Sequence, residues 1–137
     1  MTELKDLKLD KGIPASELVK QLEEGCGFTG QKLGVAVNIM KDMLKQEDCY
    51  KFLSFPSCLV AAGTRGVIKD IVKNKMVDCI ITTAGTASLD LIKTKEAFEH
   101  GSFDMDDKEL HEKGVYRLGT ILINQDSYGK ILEDLLF

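Results

Sequence analysis

The sequence lacks the features that mark several classes of protein. No apolar run approaches the roughly 18 residues that a membrane-spanning helix needs, and the charged stretch from Met1 to Lys11 has no apolar core of a secretory signal. The 18 basic residues are outnumbered by 22 acidic ones, giving a net charge of −4, whereas binders of nucleic acid or anionic membranes carry a basic surface. These absences predict a cytoplasmic protein that binds neither nucleic acid nor membrane.

The cysteine and histidine pattern lacks a metal-binding motif. None of the four cysteines is in a CxxC pair, and neither His100 nor His111 is beside one. A zinc site needs paired ligands at short spacing, so no metal is predicted and both histidines are expected in solvent. Unpaired thiols in apolar surroundings are typical core residues of a protein in a reducing cytosol. The four are Cys26, Cys49, Cys58 and Cys79.

Apolar periodicity predicts helices alternating with short strands. Such alternation favours a parallel sheet with helices on its faces, and 137 residues suit a single α/β domain spanning 1–137. Helices are predicted over 14–24, from Thr29, after Pro56, from about Ala87 to Phe98, over Asp106–Lys113 and over Ser127–Phe137. Strands are predicted over Tyr50–Phe55, Val77–Thr82 and Leu118–Ile123.

The last predicted helix is unusually apolar, since it includes Leu135, Leu136 and Phe137. Two interpretations stay open. These side chains fold back onto their own sheet, or they cover the surface of another chain.

Two turns between strand and helix are candidate ligand contacts. In an open parallel sheet, ligands bind beyond the carboxyl ends of the strands. Phe55–Cys58 and Thr82–Thr86 occupy such positions, and their small residues would let a phosphate group approach a helix N-terminus. Neither turn matches a GxGxxG or P-loop pattern. The alternative is that Gly63 and Gly66 only permit close packing of a helix on a strand, and that Ser57 only caps the helix.

Other charged residues are expected to have structural or solvated roles. Arg65 is interpreted as a solvated helix residue, and Lys93 and Lys95 as surface charges, because nothing nearby in the sequence would lower a lysine pKa. Asp106 and Asp107 suit the first turn of a helix, where a carboxylate is favoured by the helix dipole. No catalytic residue is therefore predicted from spacing.

Ordered motifs over nearly the whole chain closely resemble the deoxyhypusine synthase family, in particular its archaeal branch. The motifs, in chain order, are Phe52–Cys58, Ala62–Gly66, Met76–Thr86, His100–Phe103, Asp106–Asp107, Glu109–His111, Tyr116–Gly119 and Asp126–Gly129.

The resemblance implies a Rossmann-like, mostly parallel α/β fold, assembled as a tetramer with active sites at subunit interfaces. It implies an NAD-dependent transferase that moves the aminobutyl group of spermidine to one lysine of the hypusine-bearing translation initiation factor. Hydride leaves spermidine for NAD, the resulting imine passes to an enzyme lysine and then to the lysine of the factor, and hydride returns.

Carried over position by position, the resemblance assigns cofactor contacts to the same two turns. NAD-contacting positions correspond to Ser57, Cys58, Ala61, Thr83, Ala84 and Gly85. In members of the family, the second turn is usually followed by an acidic pair, or by Asp and then His, which serves the polyamine and cofactor. This sequence has Ser88 and Leu89 there, and a neutral pair offers no carboxylate to a polyammonium substrate.

The sequence also corresponds to only the first half of the family's pattern. No lysine here matches the imine-forming lysine of the later half, so this chain is not expected to be active alone. It is interpreted as the NAD-side half of a split enzyme in a hetero-oligomer, completed by a C-terminal-half chain. The alternatives are a non-catalytic regulatory subunit that binds a full-length paralogue, and a free-standing nucleotide-binding domain.

Overall fold

The computed structural model describes residues 3–136. The chain divides into two compact units, Met1–Tyr50 and Lys51–Phe137, which we call the helical unit and the mixed unit. Helices and small sheets together give a mixed α/β protein, in agreement with the predicted class. The single domain predicted over residues 1–137 stays a prediction.

In the helical unit, the structure describes two packed helices from residue 3 onward. α1 spans Ala15–Gly25 and α2 spans Phe28–Lys45, each starting within one residue of the start predicted from apolar periodicity. The helices pack against each other, and the Asn38 amide of α2 donates a hydrogen bond of 2.5 Å to the Glu23 carboxylate of α1.

Gly34 of α2 lies directly against α1 and is buried. A Cβ atom at this position would come within 2.8 Å of the Glu23 Cα and 2.9 Å of its nitrogen. Both are backbone atoms, so no side-chain rotation relieves the overlap. The close approach of the two helices therefore depends on glycine here.

We expect Gly34→Ala to destabilise the protein by about 1–3 kcal/mol, because overpacking outweighs the helix propensity of alanine. Gly66→Ala is the matched control: its Cβ would meet no atom within 4 Å, so alanine should stabilise by roughly 0.5–1 kcal/mol. Urea unfolding followed by far-UV circular dichroism measures both changes. A stabilised Gly34→Ala variant would contradict the packing described.

Over residues 51–136, the mixed unit contains five short strands and four helices. The strands are β1 Phe52–Phe55, β2 Cys79–Thr82, β3 Glu99–His100, β4 Val115–Leu118 and β5 Ile121–Asn124. The helices are α3 Arg65–Lys73, α4 Ala84–Ile92, α5 Asp107–Glu112 and α6 Leu132–Leu136. Wide, π-type helical turns over Val60–Thr64 and Ser127–Ile131 precede α3 and α6. We call Val60–Thr64 the kinked turn.

Strands β1 and β2 form a parallel pair, as their separation by a helix predicts. The register places Phe52 beside Cys79 and Phe55 beside Thr82. The kinked turn and α3 make the connection between the two strands. The hydrophobic core is built where this pair meets the kinked turn, α4 and β5, and consists of Phe55, Val60, Ala61, Leu89 and Ile123.

The other three strands form an antiparallel sheet in the order β3-β5-β4. The prediction of one strand over Leu118–Ile123 is wrong, because the chain reverses within that segment and β4 pairs with β5. Gly119 at the reversal has φ +63°, a conformation that glycine adopts without steric penalty. The described residues thus hold one two-stranded parallel sheet and one three-stranded antiparallel sheet.

Arg117 links the hairpin formed by β4 and β5 to α5. Its guanidinium donates to both oxygens of the Asp107 carboxylate, at 2.6 and 2.7 Å, and to the Gly119 carbonyl at 3.0 Å. The hydrogen bond from Arg117 lowers the pKa of the Asp107 carboxyl. Asp106 accepts a hydrogen bond from the Lys108 backbone N–H as the N-cap of α5, one residue before the helix begins, and Asp107 stands in the predicted first turn.

The cysteines differ from the prediction. Cys26, Cys49 and Cys79 are half-buried and Cys58 is exposed, so the expectation of four core thiols is wrong. Among residues 3–136, no group of three histidine, cysteine or acidic side chains is placed to hold a metal ion. Within that same range, no helix combines the length and apolar character needed to cross a membrane.

The last helix packs against α4, and its Leu135 is half-buried. Ser127, just before it, is fully buried and donates a hydrogen bond to the Glu96 carboxylate. The side chains of Leu136 and Phe137, on which the choice between folding back and covering another chain depends, lie outside the described residues.

Candidate functional site

The structure brings the two predicted turns to one edge of the parallel pair. Phe55 and Thr82 are the last residues of β1 and β2 and stand beside each other. The Thr82 hydroxyl donates a hydrogen bond of 2.6 Å to the Phe55 carbonyl. Because both strands run in the same direction, the turns that follow them emerge side by side.

Ser57 of the first turn approaches Gly85 of the second closely. A Cβ atom at Gly85 would lie 3.2 Å from the Ser57 Oγ and 3.3 Å from the Ser57 Cβ. A larger residue at position 85 would therefore have to displace Ser57. The hydroxyls of Thr82 and Thr86 lie 2.6 Å apart on the same turn. The arrangement is a narrow, hydroxyl-rich gap between two turns.

The six predicted cofactor positions differ in exposure. Cys58, Thr83 and Ala84 are exposed, and Ser57 and Gly85 are half-buried. Ala61 is a core residue with 4% of its surface exposed. The first five therefore have surface that a ligand can reach, and Ala61 keeps the turn close to the core.

The two positions after the second turn offer no charge to a substrate. The Ser88 hydroxyl donates a weak hydrogen bond of 3.4 Å to the Ala84 carbonyl within α4. Leu89 is only 2% exposed and belongs to the hydrophobic core. In this chain, position 89 contributes to packing.

A cleft of about 870 Å³ lies between α3 and α4, next to the turns. Phe55 and Ile80 contribute apolar surface, and Thr82, Thr83 and Thr86 contribute hydroxyls. The cleft is also lined by Arg65, Lys69, Lys73 and Asp90. Arg65 forms an ion pair with Asp90 of α4, so the interpretation of Arg65 as simply solvated is incomplete.

Lys93 is not the surface charge that the sequence predicts. It is half-buried, and its Nζ donates hydrogen bonds of 2.9 Å to the carbonyls of both Val60 and Ala61. Burial, and secondly the positive charge of Arg65, lower the pKa of the Lys93 ammonium. Its spacing of four residues from Leu89 places it on the buried side of α4 and is the signal that sequence reasoning missed. Lys95 is exposed as predicted.

Comparison with known protein families identifies the family of this chain. The family model described as deoxyhypusine synthase matches residues 17–137. The chain belongs to the deoxyhypusine synthase family.

Two curated relatives that this chain matches are archaeal. The "probable deoxyhypusine synthase" of Thermoplasma volcanium is 42% identical over 131 residues, which are 96% of this chain and 42% of that protein. A protein of the same name from Sulfurisphaera tokodaii is 38% identical over 135 residues, 98% of this chain and 43% of that protein. This chain therefore spans less than half the length of these relatives.

A solved structure that carries the deoxyhypusine synthase name, from Entamoeba histolytica, is similar to this chain. It superposes with a TM-score of 0.51 at 30% identity, over 80% of this chain and 44% of that chain. The similarity in sequence and in structure thus concerns one part of a longer deoxyhypusine synthase.

Proposed function

We propose that this chain supplies the NAD-binding side of a deoxyhypusine synthase. The observation that carries the proposal is the close approach of Gly85 to Ser57, where the two predicted cofactor turns meet at the ends of parallel strands. The complete enzyme would transfer the aminobutyl group of spermidine to a lysine of the hypusine-bearing translation initiation factor. We also place the protein in the cytoplasm.

The residues at the turns fit a dinucleotide. Gly85 leaves space that a Cβ would fill, and the hydroxyls of Ser57 and Thr83 are available as hydrogen-bonding groups. Ala84 begins a nine-residue helix, whose N-terminal N–H groups favour a phosphate. Ser57, Cys58, Thr83, Ala84 and Gly85 would hold NAD, with Ala61 supporting the first turn. When bound, NAD would accept a hydride from the amine and later return it.

The proposed finer fold is a Rossmann-like sheet. Strands β1 and β2, with the kinked turn and α3 between them, have the parallel strand–helix–strand order of such a sheet. Two strands are few for a parallel sheet, which is ordinarily covered on both faces. We propose that further parallel strands come from the part of the relatives that this chain does not span.

The polyamine side of the reaction is assigned to a second chain. Ser88 and Leu89 provide no carboxylate, and Leu89 is buried. The Lys93 ammonium donates hydrogen bonds to two backbone carbonyls, and an amine engaged in this way is a poor nucleophile. The amine-binding carboxylates and the imine-forming lysine would therefore belong to a C-terminal-half chain in a hetero-oligomer.

A regulatory subunit is the second candidate function. The neutral pair Ser88 and Leu89 favours it, because a chain that has lost the acidic pair can still stabilise a paralogue. In that case the partner would be a full-length deoxyhypusine synthase, and this chain would take no part in the hydride transfer.

Native mass spectrometry of the tagged chain, purified from its own host, distinguishes these functions. A complex with a chain that resembles the missing half supports the split enzyme. A complex with a full-length synthase instead supports the regulatory subunit. A lone monomer or a homodimer would contradict both and favour a small nucleotide-binding protein. Isothermal titration with NAD on the same preparation tests the cofactor separately.

A further inference from the structure

Lys93 connects the two halves of the candidate site. It directly follows α4, whose first residue, Ala84, belongs to the second turn. Its Nζ reaches the carbonyls of Val60 and Ala61, in the kinked turn that continues from the first turn. One side chain thus links the helix of the second turn to the backbone of the first.

The backbone carbonyls of the kinked turn form a favourable site for a cation. Gly63 has φ +95° and departs from the helical backbone conformation, as a residue beyond a helix C-terminus typically does. Carbonyls at such an end carry partial negative charge, which an ammonium group stabilises. The Leu59 carbonyl, one residue before the kinked turn, accepts a hydrogen bond of 2.7 Å from the Thr64 hydroxyl. The next two carbonyls are the ones that Lys93 binds.

The surroundings of Lys93 hold its ammonium in place. Its Nζ lies 4.8 Å from the centroid of the Phe98 ring, a distance at which a cation is attracted to the ring face. Phe98 packs against the hydrophobic core. The lowered pKa of Lys93, caused first by burial, agrees with an ammonium that is partly removed from water, where charge-assisted hydrogen bonds are strengthened.

We propose that Lys93 is a positioning residue, which fixes the turn around Ser57 relative to the turn around Gly85. It does so through its hydrogen bonds to the carbonyls of the kinked turn. The inference rests on the proposed function only for the identity of the ligand. Without Lys93, the kinked turn and Ser57 would move relative to α4, and the gap between the turns would lose its defined width.

Hydrogen exchange of the whole chain, measured by mass spectrometry at pH 7, tests the proposal without any cofactor. In Lys93→Met, amides of the segment 57–64 should exchange about tenfold faster or more, as expected for the loss of hydrogen bonds to a charged group. Lys93→Arg keeps a cation and several donors, so it should restore most of the protection. Lys95→Met removes an equal charge from an exposed position and should exchange like the parent protein. If Lys93→Met does not fold, Lys93→Gln takes its place.

Titration with NAD forms the second arm of the experiment. If the parent protein binds NAD, Lys93→Met should weaken binding about tenfold, with recovery in Lys93→Arg. Unchanged exchange in 57–64, or an equal rise throughout the mixed unit, would overturn the positioning role. Faster exchange with unchanged NAD affinity would overturn it too, since the turn would then not depend on Lys93 for binding. A parent protein that binds no NAD would refute the proposed cofactor, while the exchange arm would still decide the role of Lys93.

Discussion

Gly85→Trp should abolish NAD binding by this chain and, in the assembled complex, NAD-dependent turnover. The Cβ of any residue at position 85 meets the Ser57 side chain at 3.2–3.3 Å, so an indole ring at this position has to change the gap between the two turns. Either the ring fills the gap or Ser57 is displaced. Both outcomes remove the proposed cofactor site.

Two companion variants make this result specific. Gly85→Ala adds only the Cβ, so Ser57 has to shift by a few tenths of an ångström, and we expect about tenfold weaker binding, or about 1.4 kcal/mol. Gly129→Trp adds the same ring at an exposed glycine of the mixed unit where a Cβ meets no atom within 4 Å. It should bind NAD like the parent. The thermal midpoints of all three variants show whether each is folded.

The outcome also separates the two proposed functions. Normal NAD affinity in Gly85→Trp would refute the cofactor role of both turns. If the chain is a regulatory subunit, the complex should keep nearly normal turnover with Gly85→Trp. Deletion of Ile131–Phe137 should then remove the regulatory effect.

Leu89→Ala should lower the free energy of unfolding by about 2–5 kcal/mol, the range for removing a large buried side chain. Leu89 is 2% exposed and packs with Phe55 and Val60 in the core. Urea unfolding measures the loss as a lower midpoint with an unchanged slope.

Leu91→Ala is the control for this variant, because Leu91 is in the same helix but only half-buried. Its truncation should lower the free energy of unfolding by less than that of Leu89. The comparison decides between two roles for position 89. A core residue changes stability when it is truncated, whereas a residue that contacts substrate changes affinity. A Leu89→Ala protein as stable as the parent would show that the packing around α4 is described wrongly.

Local patterns in the sequence predicted the positions of the two turns better than the antiparallel sheet. The turns after β1 and β2 were identified because strand, turn and helix signals follow one another along the chain, and parallel pairing then brings the turns together. The hairpin was missed because its turn consists of only two residues, Gly119 and Thr120, and the reversal depends on the positive φ of one glycine. β3 has only two residues, both polar, which is too short for any periodicity.

The charged residues around the site could not be placed from the sequence. Arg65 and its partner Asp90 are 25 residues apart, and Lys93 binds carbonyls more than 30 residues earlier. Backbone acceptors have no signature in a sequence, so a lysine that binds them is indistinguishable from a solvated one. Only the position of Lys93 four residues after Leu89 indicated burial.

The pairing of Phe55 with Thr82 also limits how the chain can change in length. Removing or adding one residue within β1 or β2 would turn the following side chains to the opposite face of the sheet. Thr82 would lose the Phe55 carbonyl, and Gly85 would no longer face Ser57. Engineering of these strands should therefore accept exchanges of similar side chains but no insertion or deletion. The exposed segment between β3 and α5 is the better place to add residues.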